Sequence, residues 1–296
     1  MMKHLITGGC SFSFSGGGDT SNWPGYITRY LKKKNLDFTY KHTGYLSQGQ
    51  EMIQKKVMLE IMESLERGIK PEDMQVIVMW SGTHRKAWWI DNPDIVDQMV
   101  KTMASFSGGM SSEFLDLKDH VPEENMSYFK TANGTQFQYN SHGGWYFTVD
   151  GSESKMEFIS EFYMLDQHPG GLGKANISLE NIIMLQNFCK LHNIKLIQQF
   201  FMDTVFQDIE RYKDHLNMNY LYKQLDFDNL IKDGMFEYLH QFLEIPREKA
   251  RVTTHVDRRA KDGGRDYFHQ DGFHPGEVGC AVWCDNVLIP FLESKQ

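Results

Sequence analysis

Cysteine is scarce: four residues among 296, Cys10, Cys189, Cys280 and Cys284, with no CxxC spacing. That density excludes a disulfide-stapled scaffold and fits a reducing compartment. Basic charge is also short, with 31 lysines and arginines against 39 aspartates and glutamates and a formal net charge of -8. General binding to nucleic acid or to an anionic membrane surface is therefore not expected, because no cationic excess faces the phosphates. No apolar run approaches the roughly 20 residues that cross a bilayer. The run at the amino terminus is too brief for the h-region of a secretory signal, so a cytoplasmic or otherwise non-secreted protein is expected. Internal repeats and low-complexity linkers are missing as well, and a chain of this length that is 41% hydrophobic and 24% charged fits one large α/β domain or two small ones, with a single domain expected.

What is present alternates strand and helix. Lys3-His4-Leu5-Ile6-Thr7 is a short apolar run, and Gly8-Gly9-Cys10-Ser11-Phe12-Ser13 turns tightly behind it, a strand ending in a small polar presentation. Trp23 to Leu31 has helical spacing, residues 36–43 read as a short strand, and Met52, Ile53, Val57, Ile61 and Leu65 recur helically up to Gly68. Val76-Ile77-Val78-Met79-Trp80 is an uninterrupted apolar run before Ser81-Gly82-Thr83-His84-Arg85, as expected of a buried parallel strand. A helix from about Ser178 to His192 and a strand from Lys195 to Phe201 follow; residues 208–243 read as largely helical, and Gly276 to Leu292 as a terminal helix. The fold class expected is a three-layer α/β/α sandwich around a mostly parallel sheet, flavodoxin-like. Residues 105–176 break this rhythm with aromatic and glycine-rich segments, including Phe137, Tyr139, Trp145, Tyr146 and Phe147 around a turn. They are expected to form an insertion with a hairpin, either a lid over a site or a surface embellishment.

In a parallel sheet, ligands bind at the carboxyl ends of strands, so Ser11 is a candidate nucleophile. Its bland alternative is an N-cap or turn serine. Near the far end of the chain, Asp271-Gly272-Phe273-His274-Pro275 spaces a carboxylate and an imidazole so that both can lie on one side of a turn, and Pro275 suits the first position of a helix. His274 is then a candidate general base and Asp271 its orienting acid, as in any serine, histidine, acid arrangement. His269, Asp271 and His274 as metal ligands form the competing reading, which leaves the serine turn unexplained. Trp80, Trp88 and Trp89 either wall a pocket or pack against the sheet. Arg85 is either a ligand for an anionic group or a surface ion-pair member. His4 and His42 read as scaffold.

These two blocks resemble those of the SGNH (GDSL-type) serine hydrolases, which carry a Gly-Asp-Ser turn near the amino terminus and an Asp-x-x-His pair near the carboxyl terminus. Here Gly9-Cys10-Ser11 and Asp271-Gly272-Phe273-His274 stand in those places, with Cys10 at the aspartate position. The resemblance implies cleavage of an ester, such as an acetyl or short acyl group on a carbohydrate or other polar small molecule, through an acyl-enzyme and without a cofactor. It also implies an oxyanion held by the N–H of Ser11, a glycine N–H from a second block and an asparagine from a third. The second block resembles Gly44-Tyr45-Leu46-Ser47-Gln48-Gly49-Gln50, with Gly49 the expected donor and Gly44 the alternative. In the third, Gly82-Thr83-His84-Arg85, His84 replaces the asparagine, so His84 or Arg85 is expected to complete the hole. The same residues also allow an acyltransferase, or a non-catalytic binding or assembly protein on the same fold. Gly9 to Ser13 and Met79 to Gly82 are similar to phage-type members, a setting compatible with virion association.

Overall fold

The computed structural model describes residues 2–13, 22–34, 36–44, 48–82, 171–243 and 274–295 with their side chains, and residues 85–90, 128–130, 135–139 and 145–150 as backbone strands. The core is a five-stranded, all-parallel sheet in the order β2-β1-β3-β8-β9, built from β1 (His4–Gly8), β2 (Thr39–His42), β3 (Met74–Trp80), β8 (Lys195–Phe200) and β9 (Leu230–Gly234). All seven residues of β3 are buried, so its unbroken apolar run reflects cover on both faces. Each of Val76, Ile77 and Val78 contributes on the order of 1.5–3 kcal/mol through removal from water.

Helices cover both faces. On one lie α1 (Trp23–Lys33), α6 (Met235–Phe242) and the terminal helix, made of α7 (Glu277–Trp283), a π turn (Cys284–Leu288) and α8 (Ile289–Glu293). The π turn ends two residues before Pro290, whose ring and missing N–H are incompatible with a regular preceding turn. On the other face lie α2 (Gln50–Glu66), α3 (Leu172–Leu191), α4 (Asp203–Tyr212) and α5 (Leu216–Tyr222). The three-layer α/β/α sandwich expected from the sequence is the observed fold.

Local boundaries differ from those expected. Residues 208–243 are largely helical as expected, but β9 interrupts them, an edge strand whose Lys232 and Asp233 are exposed while Leu230 and Ile231 are buried. Helix α3 begins at Leu172, ahead of Ser178, because Ala175 is in the core and Leu172 packs against it. Arg85, placed by sequence in the block after β3, opens a further strand, β4 (Arg85–Ile90). This strand pairs antiparallel with β7 (Trp145–Asp150), which pairs with β6 (Thr135–Tyr139), which pairs with β5 (Tyr128–Lys130). The result is a second sheet of four strands in the order β4-β7-β6-β5. Among the described residues no helix is long and apolar enough to cross a membrane.

The order of the parallel strands sets where a ligand can sit. From β1 the chain steps outward to β2 and then returns to β3 on the other side, so the crevice beyond the carboxyl ends of β1 and β3 is the switch point of the sheet. Ser11 and Ser81 both follow directly at that edge.

Candidate active site

Behind β1 the chain cannot continue straight, because a side chain at Gly8 would overlap Val57 and one at Gly9 would overlap Ser13. Glycine removes both collisions and lets the chain fold into a short 3-10 turn over Ser11–Ser13. The turn is closed by the Ser13 N–H donating to the Cys10 carbonyl at 2.8 Å. It is then clamped to α1: the Trp23 indole N–H donates to Ser13 Oγ at 3.0 Å, and Asn22 Nδ2 donates to the Ser13 carbonyl at 2.8 Å. Asn22 also caps α1 by accepting from the Gly25 N–H at 2.8 Å. Ser13 is thus a structural serine. Ser11, one turn position earlier and 7% exposed, is left to face the edge of the sheet.

At that edge Ser11 Oγ lies 2.9 Å from His274 Nε2, across 263 positions of sequence. The distance is within hydrogen-bond reach for a nucleophile and its base. His274 sits just ahead of Pro275 and of Gly276, the residue preceding α7, so the terminal helix fixes its backbone. Its ring lies on Phe12 with centroids 4.5 Å apart and planes inclined by 23°. Phe12 in turn stacks on Phe201, with planes inclined by 8°.

The amino end of α2 approaches the same edge. Gly49 is its N-cap with φ -76° and ψ 170°, and no side chain caps the helix. Gln50 Nε2 donates to the Ser81 carbonyl at 2.8 Å, joining α2 to the end of β3. Among the described residues, the Oε1 atoms of Gln48 and Gln50 and His42 Nε2 at the end of β2 are buried without a hydrogen-bond partner. His42 Nδ1 pairs with Thr7 Oγ1 at 2.8 Å. Burial, then the nearby Lys56 charge, pull the His42 pKa down to about 4, against an opposing hydrogen bond at Thr7. Burial lowers the Lys56 pKa to about 7.

Of the residues singled out from sequence, Ser11 and His274 are brought together and Gly49 is placed at the same sheet edge. Asp271 and His84 lie outside the described residues, and Arg85 is described only as backbone, paired with Asp150 in the second sheet. Of the three residues considered as metal ligands, His269 and Asp271 are outside the described set, while His274 Nε2 faces Ser11. Trp80 is 0% exposed and donates its indole N–H to Gln198 Oε1 at 3.0 Å, an environment that fits packing and not a pocket wall. Cys10 is buried among core residues. Sequence reasoning missed Phe12 and Phe201, since nothing in the spacing of aromatics tells which ring faces a histidine more than 200 positions away.

A cavity of about 1010 Å³ opens elsewhere, lined by Met74, Gln75, Lys195 and Leu196 at the amino ends of the strands and by Leu225 and Asp226. It lies away from Ser11 and His274, and the chemistry of the carboxyl edge carries more weight than the size of this space. No family model, curated protein or solved structure matches the chain.

Proposed function

We propose that the chain is a serine esterase of the SGNH type, cleaving an acetyl or short acyl ester of a polar small molecule or carbohydrate. The observation that supports it is the 2.9 Å approach of Ser11 Oγ and His274 Nε2 at the switch point of the sheet. In this reading the Ser11 hydroxyl gives its proton to His274 Nε2 as Oγ attacks the ester carbonyl carbon. The tetrahedral oxyanion is held by the N–H groups of Ser11 and Gly49, with the uncapped amino end of α2 adding a favourable dipole. His274 returns the proton to the departing alcohol, leaving an acyl group on Ser11. Water then attacks, again with His274 taking the proton, and the carboxylic acid and free Ser11 are regenerated. Asp271 keeps the Nδ1 proton of His274 in place, and His84 or Arg85 supplies the third oxyanion contact.

The test is covalent labelling by a fluorophosphonate followed by peptide mapping. The wild type is expected to carry the label on Ser11 and Ser11→Ala to carry none. Equal labelling of the two proteins contradicts the assignment.

A further inference from the structure

We propose that Phe12 is a positioning residue for His274, its ring acting as a backing plate that holds the plane of the imidazole against the Ser11 hydroxyl. The inference rests on the esterase reading, and the experiment below separates the two.

A hydrogen bond at Nε2 fixes one point of an imidazole, and a carboxylate at Nδ1 fixes a second. The ring can still swing about the line joining them. Contact on its face removes that freedom. His274 has such a contact from Phe12, at 4.5 Å between centroids and 23° between planes, within the range of offset stacking. Phe12 is itself 3% exposed and stacked with Phe201. Phe201 is held by its N–H donating to the Trp80 carbonyl at 3.1 Å and its carbonyl accepting from the Phe236 N–H at 2.9 Å. The Phe236 ring leans on it with centroids 5.6 Å apart. The plate is therefore tied to the ends of β3 and β8 and the start of α6. Because Phe12 shares one 3-10 turn with Ser11, nucleophile and plate move as a unit, and the base is registered against both.

The contact also has a sign that suits the reaction. The face of an aromatic ring carries negative potential and attracts a cation more than a neutral group. His274 becomes an imidazolium when it takes the Ser11 proton, so the contact strengthens along the reaction coordinate. An interaction of that kind raises turnover more than it tightens binding.

The experiment compares Phe12→Leu and Phe12→Met, which keep an apolar occupant without an aromatic face, with Phe12→Tyr, which keeps the face. Fluorophosphonate labelling is followed at several probe concentrations, with thermal unfolding as the control on folding. The maximal labelling rate is expected to fall about tenfold in the aliphatic variants, at an unchanged half-saturating concentration, and to return to within about threefold in Phe12→Tyr. Wild-type rates in the aliphatic variants overturn the proposal, as does an equal loss in Tyr and Leu variants that tracks stability. If the aliphatic variants do not fold, or if the wild type is not labelled at all, proton NMR of the wild type decides. His274 ring protons, assigned by their loss in His274→Gln, are expected upfield of the free-imidazole position under the Phe12 ring current. Unshifted protons overturn the stack, whereas absent labelling with shifted protons overturns only the esterase reading.

Discussion

The two edges of the parallel sheet treat buried polar groups in opposite ways. At the amino edge His4 is 2% exposed, yet both ring nitrogens are satisfied, Nδ1 by Thr39 Oγ1 at 2.5 Å and Nε2 by Ser64 Oγ at 3.0 Å. Ser64 is braced further by Arg67 Nη2 at 2.8 Å. This closed network sews β1 to β2 and α2. At the carboxyl edge, among the described residues, His42 Nε2, Gln48 Oε1, Gln50 Oε1 and Gln199 Nε2 are buried without a hydrogen-bond partner. An orphaned buried polar atom costs on the order of 1–3 kcal/mol, and it accumulates where structure is given up for function. The same edge carries Ser11 and His274. The contrast places these unpartnered atoms on the edge that carries the candidate site.

Substitutions at the two edges should therefore separate turnover from stability. The largest effect is expected for His274→Ala, a loss of at least about 10³-fold in ester turnover, because removal of a base that acts with its nucleophile disables both; steady-state assays check it. Next comes Gly49→Pro. The native φ of -76° is compatible with proline, so the substitution deletes the proposed N–H donor, and turnover is expected to fall about 10²- to 10³-fold with the circular dichroism spectrum unchanged. At the other edge Ser64→Ala is expected to cost about 1–2 kcal/mol in denaturant unfolding and nothing in labelling rate, since it breaks only the His4 network. A loss of labelling in Ser64→Ala would erase the contrast.

A pH slope in stability is also expected. His4 and His42 both have lowered pKa values in the fold, chiefly through burial, and His42 falls to about 4. Between the unfolded value near 6.5 and these folded values the unfolded chain binds more protons, so stability is full above about pH 6.5 and declines as pH drops toward 4. Lys56, lowered to about 7, has the same sign in a higher window, with stability declining as pH falls from about 10.5 to 7. Thermal melts of the wild type and His42→Gln across pH 4–7 check the first window, where the variant's slope is expected to be shallower.

The central strands could be read from sequence because burial on both faces writes itself as continuous apolar runs, as in Val76 to Trp80. Strand β9 could not, because an edge strand with Lys232 and Asp233 exposed leaves only Leu230 and Ile231 as signal between helical stretches. Strand β4 was hidden for another reason: its partner in the second sheet, β7, lies about sixty positions later, and pairing at that separation has no local signature. At the site, Ser11 and His274 were legible because each stands in a short motif with its own turn chemistry. The Phe12 and Phe201 stack was not, since it depends on the β1 and β8 ends being two strands apart in a sheet whose order sequence does not state.

The most direct measurement of the central claim is the mass of the fluorophosphonate-treated protein, with its modified peptide sequenced, for wild type, Ser11→Ala, His274→Ala and Ser64→Ala side by side. The paired site predicts one adduct on Ser11 in wild type and Ser64→Ala, none in Ser11→Ala, and at most slow labelling in His274→Ala. Full labelling of His274→Ala, or an adduct on a residue other than Ser11, contradicts it.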